Sequence, residues 1–171
     1  PPVDKPSMIC ISNDQASHFE ALFGRPARVC RNGIDLDFYK PMGIKRTNRF
    51  LFLARFSSIK GPLLALEACY KAGVGLDLVG DTSITNEPEY FRQCQVFAEK
   101  QSPRWDSANG KQLRIIGPVS RTDSVWWFSQ AHCLLHPNKT FREPMGLAPV
   151  EAMACFPGDV LVRALDVQRT F

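Results

Sequence analysis

The sequence predicts an α/β protein built on a parallel sheet, and three observations carry that expectation. Short apolar runs alternate with helical stretches along most of the 171 residues. One run, Phe50-Leu51-Phe52-Leu53-Ala54, is continuously apolar, as a strand covered on both faces must be. Basic, glycine and acidic residues recur just after the predicted strands, where open parallel sheets bind their ligands.

Taken in order, Met8 to Ser12 is a short apolar run that reads as a strand. Asn13 or Asp14 is expected to cap a helix through Phe23, which Gly24 and Pro26 stop. Ala27 to Cys30 is extended, and Asn32-Gly33 is a turn, because both residues tolerate positive φ. Pro41 to Asn48 is a polar connector. After the strand at Phe50 to Ala54, Pro62 suits the first turn of a helix over Leu63 to Ala72, ended by Gly73 and Gly75. Leu76 to Val79 is the second strand of this region, and Glu87 to Lys100 a helix. Gln101 to Lys111 is a polar excursion with only Trp105 to pin it. Leu113 to Ile116 is the third strand, followed by a helix through Gln130 capped by Thr122 or Asp123. Cys133 to His136 is the fourth strand, Pro149 to Cys155 a helix, and Val160 to Val162 a fifth strand.

Composition narrows the function classes. The chain is 44% hydrophobic and 22% charged, which excludes a disordered tail, a collagen-like repeat and a coiled coil. No apolar run approaches the roughly 20 residues of a membrane helix. The net charge of +4 fits ordinary surface charge, a phosphate-bearing ligand or an anionic lipid surface, and composition does not separate them. Among the six cysteines (Cys10, Cys30, Cys69, Cys94, Cys133, Cys155) no two lie within four residues, so zinc knuckles and Cys-x-x-Cys redox motifs are absent. Free thiols, mostly buried, in a reducing compartment are expected. His132 and His136 flank a buried strand and read as structural. Trp126-Trp127-Phe128 reads as core or docking surface, and Glu87 and Glu89 as a solvated helix start.

Two constellations could carry chemistry. Arg55 and Lys60 flank the turn Arg-Phe-Ser-Ser-Ile-Lys-Gly, where two cations near the positive end of a helix suit a diphosphate. This is neither a Walker loop nor a Gly-x-Gly-x-x-Gly turn, which counts against NAD enzymes such as a nucleotide-sugar epimerase. In Glu143-Pro-Met-Gly-Leu-Ala-Pro-Val-Glu151, one carboxylate falls on the loop after the fourth strand and the other within a helix. Gly146 between them allows close approach of backbone N–H groups to a ligand. Such carboxylates accept hydrogen bonds from sugar hydroxyls or a ribose diol, or they merely cap a helix and face solvent.

Together these residues resemble the C-terminal, nucleotide-binding domain of retaining glycosyltransferases with two facing Rossmann-like domains. That is the GT-B fold, in the large group that includes bacterial mannosyl- and glucosyltransferases and sucrose synthases. The resemblance runs from about Ile9 to Cys155. Asn32-Gly33-Ile34-Asp35 with Phe38 and Pro41 is similar to the family's inter-domain junction. Arg55 and Lys60-Gly61 are similar to its phosphate loop, with Ala54 where glycine is usual. Leu78-Val79-Gly80 and Gly117-Pro118-Val119 match two strand ends, His136-Pro137-Asn138 stands in place of "PS", and Glu143 to Glu151 fits its E-x7-E motif.

The resemblance implies a doubly wound parallel sheet and a role for each residue. Arg55 and Lys60 would neutralise the departing diphosphate. Glu143 would bind donor-sugar hydroxyls, Gly146 and Leu147 would offer backbone N–H groups, and Glu151 would hold the ribose. Gly80 would lie at the donor, and backbone around Gly117 and Val119 would meet the base. It implies a nucleotide sugar (UDP-, GDP- or ADP-linked) as donor substrate, no cofactor and no metal. The acceptor would sit on an N-terminal domain outside the sequence, nucleic acid would be no partner, and the enzyme would be cytoplasmic, with peripheral membrane association left open. Residues 1–47 then read as the end of that domain and a linker, and 48–171 as the nucleotide-sugar-binding domain. After Cys155 the sequence departs from the family pattern "G-x-P-V-I", which reads as an incomplete C-terminus, so the chain is expected to hold nucleotide without transferring sugar alone. The runner-up reading is a non-catalytic nucleotide-binding or interaction module on the same fold.

Overall fold

Residues at alternating positions of the central strand face opposite ways, and each side is buried by its own pair of helices. The structure, a computed structural model, describes residues 8–83, 85–101, 110–138 and 143–155, and the backbone of 159–162. Its elements are β1 (Met8–Cys10), α1 (Asn13–Phe23), β2 (Ala27–Val29), β3 (Phe50–Leu53), α2 (Pro62–Ala72) and β4 (Leu76–Val79), then α3 (Pro88–Gln101), β5 (Leu113–Gly117), α4 (Arg121–Gln130), β6 (Cys133–His136), α5 (Leu147–Cys155) and β7 (Asp159–Val162). The polar excursion around Trp105 and the segment from 163 onward lie outside the described residues.

Among the described residues β1 and β2 form a small parallel pair, and the other five strands a parallel sheet in the order β5-β4-β3-β6-β7. Phe52 points into a core with Leu76 and Leu78, covered by Leu66 and Cys69 of α2 and Cys94 and Ala98 of α3. Leu51 points the other way, with Val79 and Leu134, onto Val125 and Phe128 of α4 and Ala152 and Cys155 of α5. This is the doubly wound α/β architecture the sequence predicts. Phe128 is core, Trp127 packs at its margin and Trp126 is exposed. Among the described residues no helix is long and apolar enough to cross a membrane.

Two helix starts differ from expectation for one reason. The caps are serines, not Asn13 or Asp14 and not Thr122 or Asp123. Ser12 accepts from the Gln15 N–H, while Gln15 reaches back to the Ile11 N–H at 2.8 Å. Ser120 accepts from the Asp123 N–H at 3.0 Å and its hydroxyl donates to the Asp123 carboxylate. In both, the serine oxygen satisfies an otherwise orphaned N–H of the first turn; Gln15 also satisfies the Ile11 N–H, whereas Asp123 takes its bond from the Ser120 hydroxyl. The last helix begins two residues earlier than predicted, at Leu147, with Pro149 inside the first turn where no N–H is needed.

None of the six cysteines is in a disulfide and five are buried, as expected; Cys30 is exposed. Burial pushes the Cys69 thiol up to about 12 and those of Cys94 and Cys155 to about 11, so these act as small apolar groups.

A polar cluster ties the amino ends of the strands. Asp77 sits in an apolar strand, directly across from Arg114 of β5. Arg49 meets it with two hydrogen bonds, at 2.8 and 2.9 Å, and spends its other donors on the carbonyls of Leu76, Gly110 and Gln112. Arg114 adds two more bonds to the same carboxylate. Burial alone would raise the Asp77 pKa, but the bonds from Arg114 and Arg49 outweigh it and hold the carboxyl below the usual range.

Candidate functional site

The order β5-β4-β3-β6-β7 reverses between β3 and β6, because the chain winds outward from β3 through β4 to β5 and then returns to the other side. The loops after β3 and β6 therefore leave in opposite directions and open a crevice between them, the place where such sheets bind ligands. Arg55 and Lys60 lie on the first loop and Glu143 on the second, so topology alone brings them to one crevice.

The first loop is held from several sides. Buried Phe56 stacks near Phe52 and Phe91, and its N–H bonds the Asp81 carbonyl at 2.9 Å. The Ser58 N–H donates to Glu87 at 2.8 Å, so Glu87, expected to be merely solvated, is a loop anchor; Glu89 is exposed and pairs with Arg92. The N–H groups of Lys60 and Gly61 close onto the Ser57 carbonyl. Gly61 then starts α2 in the left-handed region, at φ +72°. A Cβ there would lie 2.7 Å from the Pro137 carbonyl oxygen on the facing loop. Gly61→Ala is therefore expected to cost about 1–3 kcal/mol from left-handed strain and loop separation. Urea unfolding of the variant checks this.

The Lys60 ammonium bonds the Glu143 carboxylate across the crevice, with side chains only 14% and 16% exposed. Asn138 donates to the same carboxylate oxygen at 2.9 Å, and His136 Nε2 is 3.9 Å from it. A carboxylate only accepts, so this bond fixes the Asn138 amide with Nδ2 toward Glu143. The same nitrogen lies 3.3 Å from His136 Nε2, which must then accept. Burial, and then the Lys60 charge, lowers the His136 pKa to about 4, against a smaller opposing pull from Glu143; the imidazole is neutral at pH 7. Burial would raise the Glu143 pKa, but the Lys60 bond and charge, with Asn138, hold it below the ordinary value. Asn138, 2% exposed, keeps its Oδ1 buried without a partner.

The other predicted residues are placed as follows. Arg55 is exposed at the mouth of the first loop and makes no ion pair among the described residues. The backbone at Ala54, Gly80 and Gly117 lines the carboxyl ends of β3, β4 and β5. A Cβ on Gly80 would strike the Ala54 carbonyl oxygen at 1.9 Å, and the Gly80 N–H bonds the Gly117 carbonyl at 2.9 Å. Val119 packs at the margin of the α4–α5 core. Gly146 precedes α5 with its α-carbon facing His136, where a Cβ would come within 3.2 Å of Nε2; Leu147 opens the helix, half exposed. Glu151 is one turn further along α5 and has different company from Glu143. It adjoins Ala152, which packs with Tyr39, and its charge acts on Tyr39 and Arg121. Glu143 thus bonds Lys60 and Asn138, while Glu151 lies apart from that cluster, toward Tyr39 and Arg121.

Three residues escaped the sequence reading. His136, read as structural, and Asn138, read only as part of a motif, belong to the Lys60–Glu143 cluster; their position at and just beyond the end of a switch-point strand is the available signal. At the junction, Tyr39 is the buried aromatic, at 3% exposure, while Phe38 lies over it edge-on and half buried. Among the described residues no three His, Cys, Asp or Glu side chains gather as a metal site requires.

The family model for glycosyl transferases group 1 matches residues 38–156. The chain belongs to this family. Solved structures with the same fold include a glycosyltransferase from Rickettsia africae ESF-5, at 17% identity and TM-score 0.76, covering 91% of this chain and 44% of that one. Anabaena Alr3699/HepE, solved with UDP and glucose, aligns at 22% identity and TM-score 0.74 over 91% of this chain and 44% of its own. The UDP-forming α,α-trehalose-phosphate synthase of Burkholderia xenovorans, solved with glucose-6-phosphate, aligns at 15% identity and TM-score 0.67 over 85% of this chain and 39% of its own. This chain spans less than half the length of each. No curated protein sequence matches it. The family match begins at Phe38, so it takes in both aromatics of the junction, the switch-point crevice and α5.

Proposed function

We propose that the chain is the nucleotide-sugar-binding half of a retaining glycosyltransferase that moves a hexosyl group from a nucleoside diphosphate to an acceptor without a metal ion. The observation that carries this reading is the Lys60–Glu143 pair at the switch point of the sheet. A cation and an ionised carboxylate side by side in a crevice match the two ends of the bond to be broken. Lys60, with Arg55 at the mouth, meets the diphosphate; Glu143 meets the sugar hydroxyls. The bond from the anomeric carbon to the diphosphate oxygen breaks, and its electron pair stays on the diphosphate, where the fixed cations stabilise the developing charge. The acceptor oxygen bonds the anomeric carbon on the face the diphosphate leaves, and its proton passes to the departing phosphate oxygen. Neutral His136 serves as a hydrogen-bonding wall and adds no third charge.

The N–H groups of Leu147 and its neighbours, at the positive end of α5, face the same crevice and suit phosphate or sugar oxygens. Glu151 holds the ribose, and backbone at Gly80, Gly117 and Val119 lines the base. On this reading residues 1–47 are the end of an acceptor-binding domain with its linker, and 48–171 the donor domain. Buried free thiols fit a reducing, cytoplasmic setting, with any membrane contact peripheral.

Calorimetric titration with UDP, GDP and ADP tests the reading. One nucleotide is expected to bind, with affinity about tenfold or more weaker in Lys60→Ala and in Glu151→Ala, as loss of a charge-assisted bond implies. Parent-like binding in both variants would contradict it.

A further inference from the structure

The segment before the sheet packs through one side chain against the helices that follow β5 and β6. Asp35 builds a tight turn: its carboxylate accepts from the N–H groups of Asp37 and Phe38 at 3.0 and 3.1 Å, and its carbonyl accepts from the Tyr39 N–H at 2.8 Å. That turn delivers Tyr39 into the core cluster with Val125 of α4 and Ala152 of α5, the residue next to Glu151. Arg121, the first residue of α4, lies over both rings of the turn, 4.8 Å from the Phe38 centroid and 5.4 Å from that of Tyr39. Its Nε donates to the Tyr39 hydroxyl at 3.2 Å.

The chemistry of these groups sets the direction of the chain. A guanidinium only donates, so the Tyr39 oxygen accepts from Arg121 and its own proton is left for another acceptor. Glu151 adjoins Ala152 of the same cluster, its charge acts on the Tyr39 hydroxyl, and a carboxylate only accepts. Burial, first, and the Glu151 charge keep the hydroxyl protonated, against the pull of Arg121. We propose that Tyr39 and Arg121 are positioning residues for Glu151, a relay in which Arg121 donates to the Tyr39 hydroxyl and that hydroxyl donates to the carboxylate. One lone pair of Glu151 is thereby fixed, and the remaining ones face the ribose diol at a set angle. The relay also ties residues 35–39 to the occupancy of the nucleotide site. This inference rests on the ribose role given to Glu151 above.

The test is the preference for ribose over deoxyribose. UDP, GDP or ADP, whichever binds the parent best, and its 2′-deoxy counterpart are titrated by calorimetry into the parent, Tyr39→Phe, Arg121→Met and Glu151→Gln. The parent is expected to prefer the ribonucleotide about tenfold, the scale of one well-placed hydrogen bond to a hydroxyl. Glu151→Gln should reduce the preference to near one. Tyr39→Phe keeps the ring that fills the core, and it should lower the preference about three- to fivefold with an unchanged urea midpoint; Arg121→Met should act in the same direction. A parent-like preference in both variants overturns the relay, as does an equal loss of affinity for the two nucleotides, which a purely structural role would give. If Glu151→Gln itself keeps the parent's preference, or the parent shows none, the ribose role of Glu151 fails, and the relay with it.

Discussion

Asp77→Asn is expected to destabilise the chain by about 2–4 kcal/mol, near the range for breaking a buried ion pair by removing one partner. The carboxylate takes four hydrogen bonds from two guanidiniums, and a neutral amide has one oxygen to offer and two protons that point at cations. Arg49 suffers most, since it is buried; its bonds to three carbonyls keep the loss below the full cost of a stranded charge. With a urea slope typical of small domains, the midpoint should fall by about 1–2 M. The pH dependence has a definite sign. The Asp77 pKa is lower folded than unfolded, so its contribution is complete above the unfolded value of about 3.9 and is lost as pH falls through the folded value. Parent stability should therefore fall more steeply than that of Asp77→Asn below about pH 4, with the slope due to Glu143 remaining in both. Equal acid slopes in the two proteins, or a midpoint shift under about 0.3 M, would show that the cluster is not a clamp.

That cluster also shows where the sequence stops being legible. The strand Leu76-Asp77-Leu78-Val79 is readable from three apolar residues, and its bounds match, because a both-faces-buried strand leaves a continuous apolar run. What Asp77 does there is not readable, because its partners lie 28 residues before it and 37 after it, and only strand order joins them. The site divides the same way. Lys60 and Glu143 were legible because each follows a strand and the fold class says where strand ends meet. Glu151 was legible as a carboxylate on a helix, but its company was not. Tyr39 comes toward it from a different stretch of chain, where the junction motif marks only the neighbouring aromatic, Phe38. Pattern alone does not say which of two neighbouring rings a turn rotates inward; the hydrogen bonds of Asp35 decide it. The serine caps are hidden for a simpler reason: each stands one to three residues upstream of another plausible capping side chain, and only the Gln or Asp three residues on tells it apart.

Opposite responses to removing each member of the Lys60–Glu143 pair are the second large effect. Without ligand the two charges neutralise each other, so the crevice offers an arriving diphosphate a cation already engaged by a carboxylate. Glu143→Gln releases Lys60 and removes a negative charge close to the incoming anion. At an effective dielectric near 20, unit charges 6 Å apart interact by about 3 kcal/mol, and solvent screening reduces this to about 1–2 kcal/mol. Affinity for the free nucleoside diphosphate should therefore rise about fivefold to tenfold in Glu143→Gln and fall about tenfold to hundredfold in Lys60→Met. Sugar transfer, measured in the longer enzyme with its acceptor domain, should move differently. It should drop at least about a hundredfold in both variants, because Glu143 must hold the sugar while Lys60 holds the charge that develops beyond it. The split is diagnostic: a variant that binds product better and turns over worse has lost a group that acts on the sugar and opposes the diphosphate. Should Glu143→Gln instead weaken nucleoside diphosphate binding as Lys60→Met does, Glu143 would be orienting Lys60 and not competing with the phosphate for it. The carboxylate would then be a support for the cation, and its assignment to the sugar would fall.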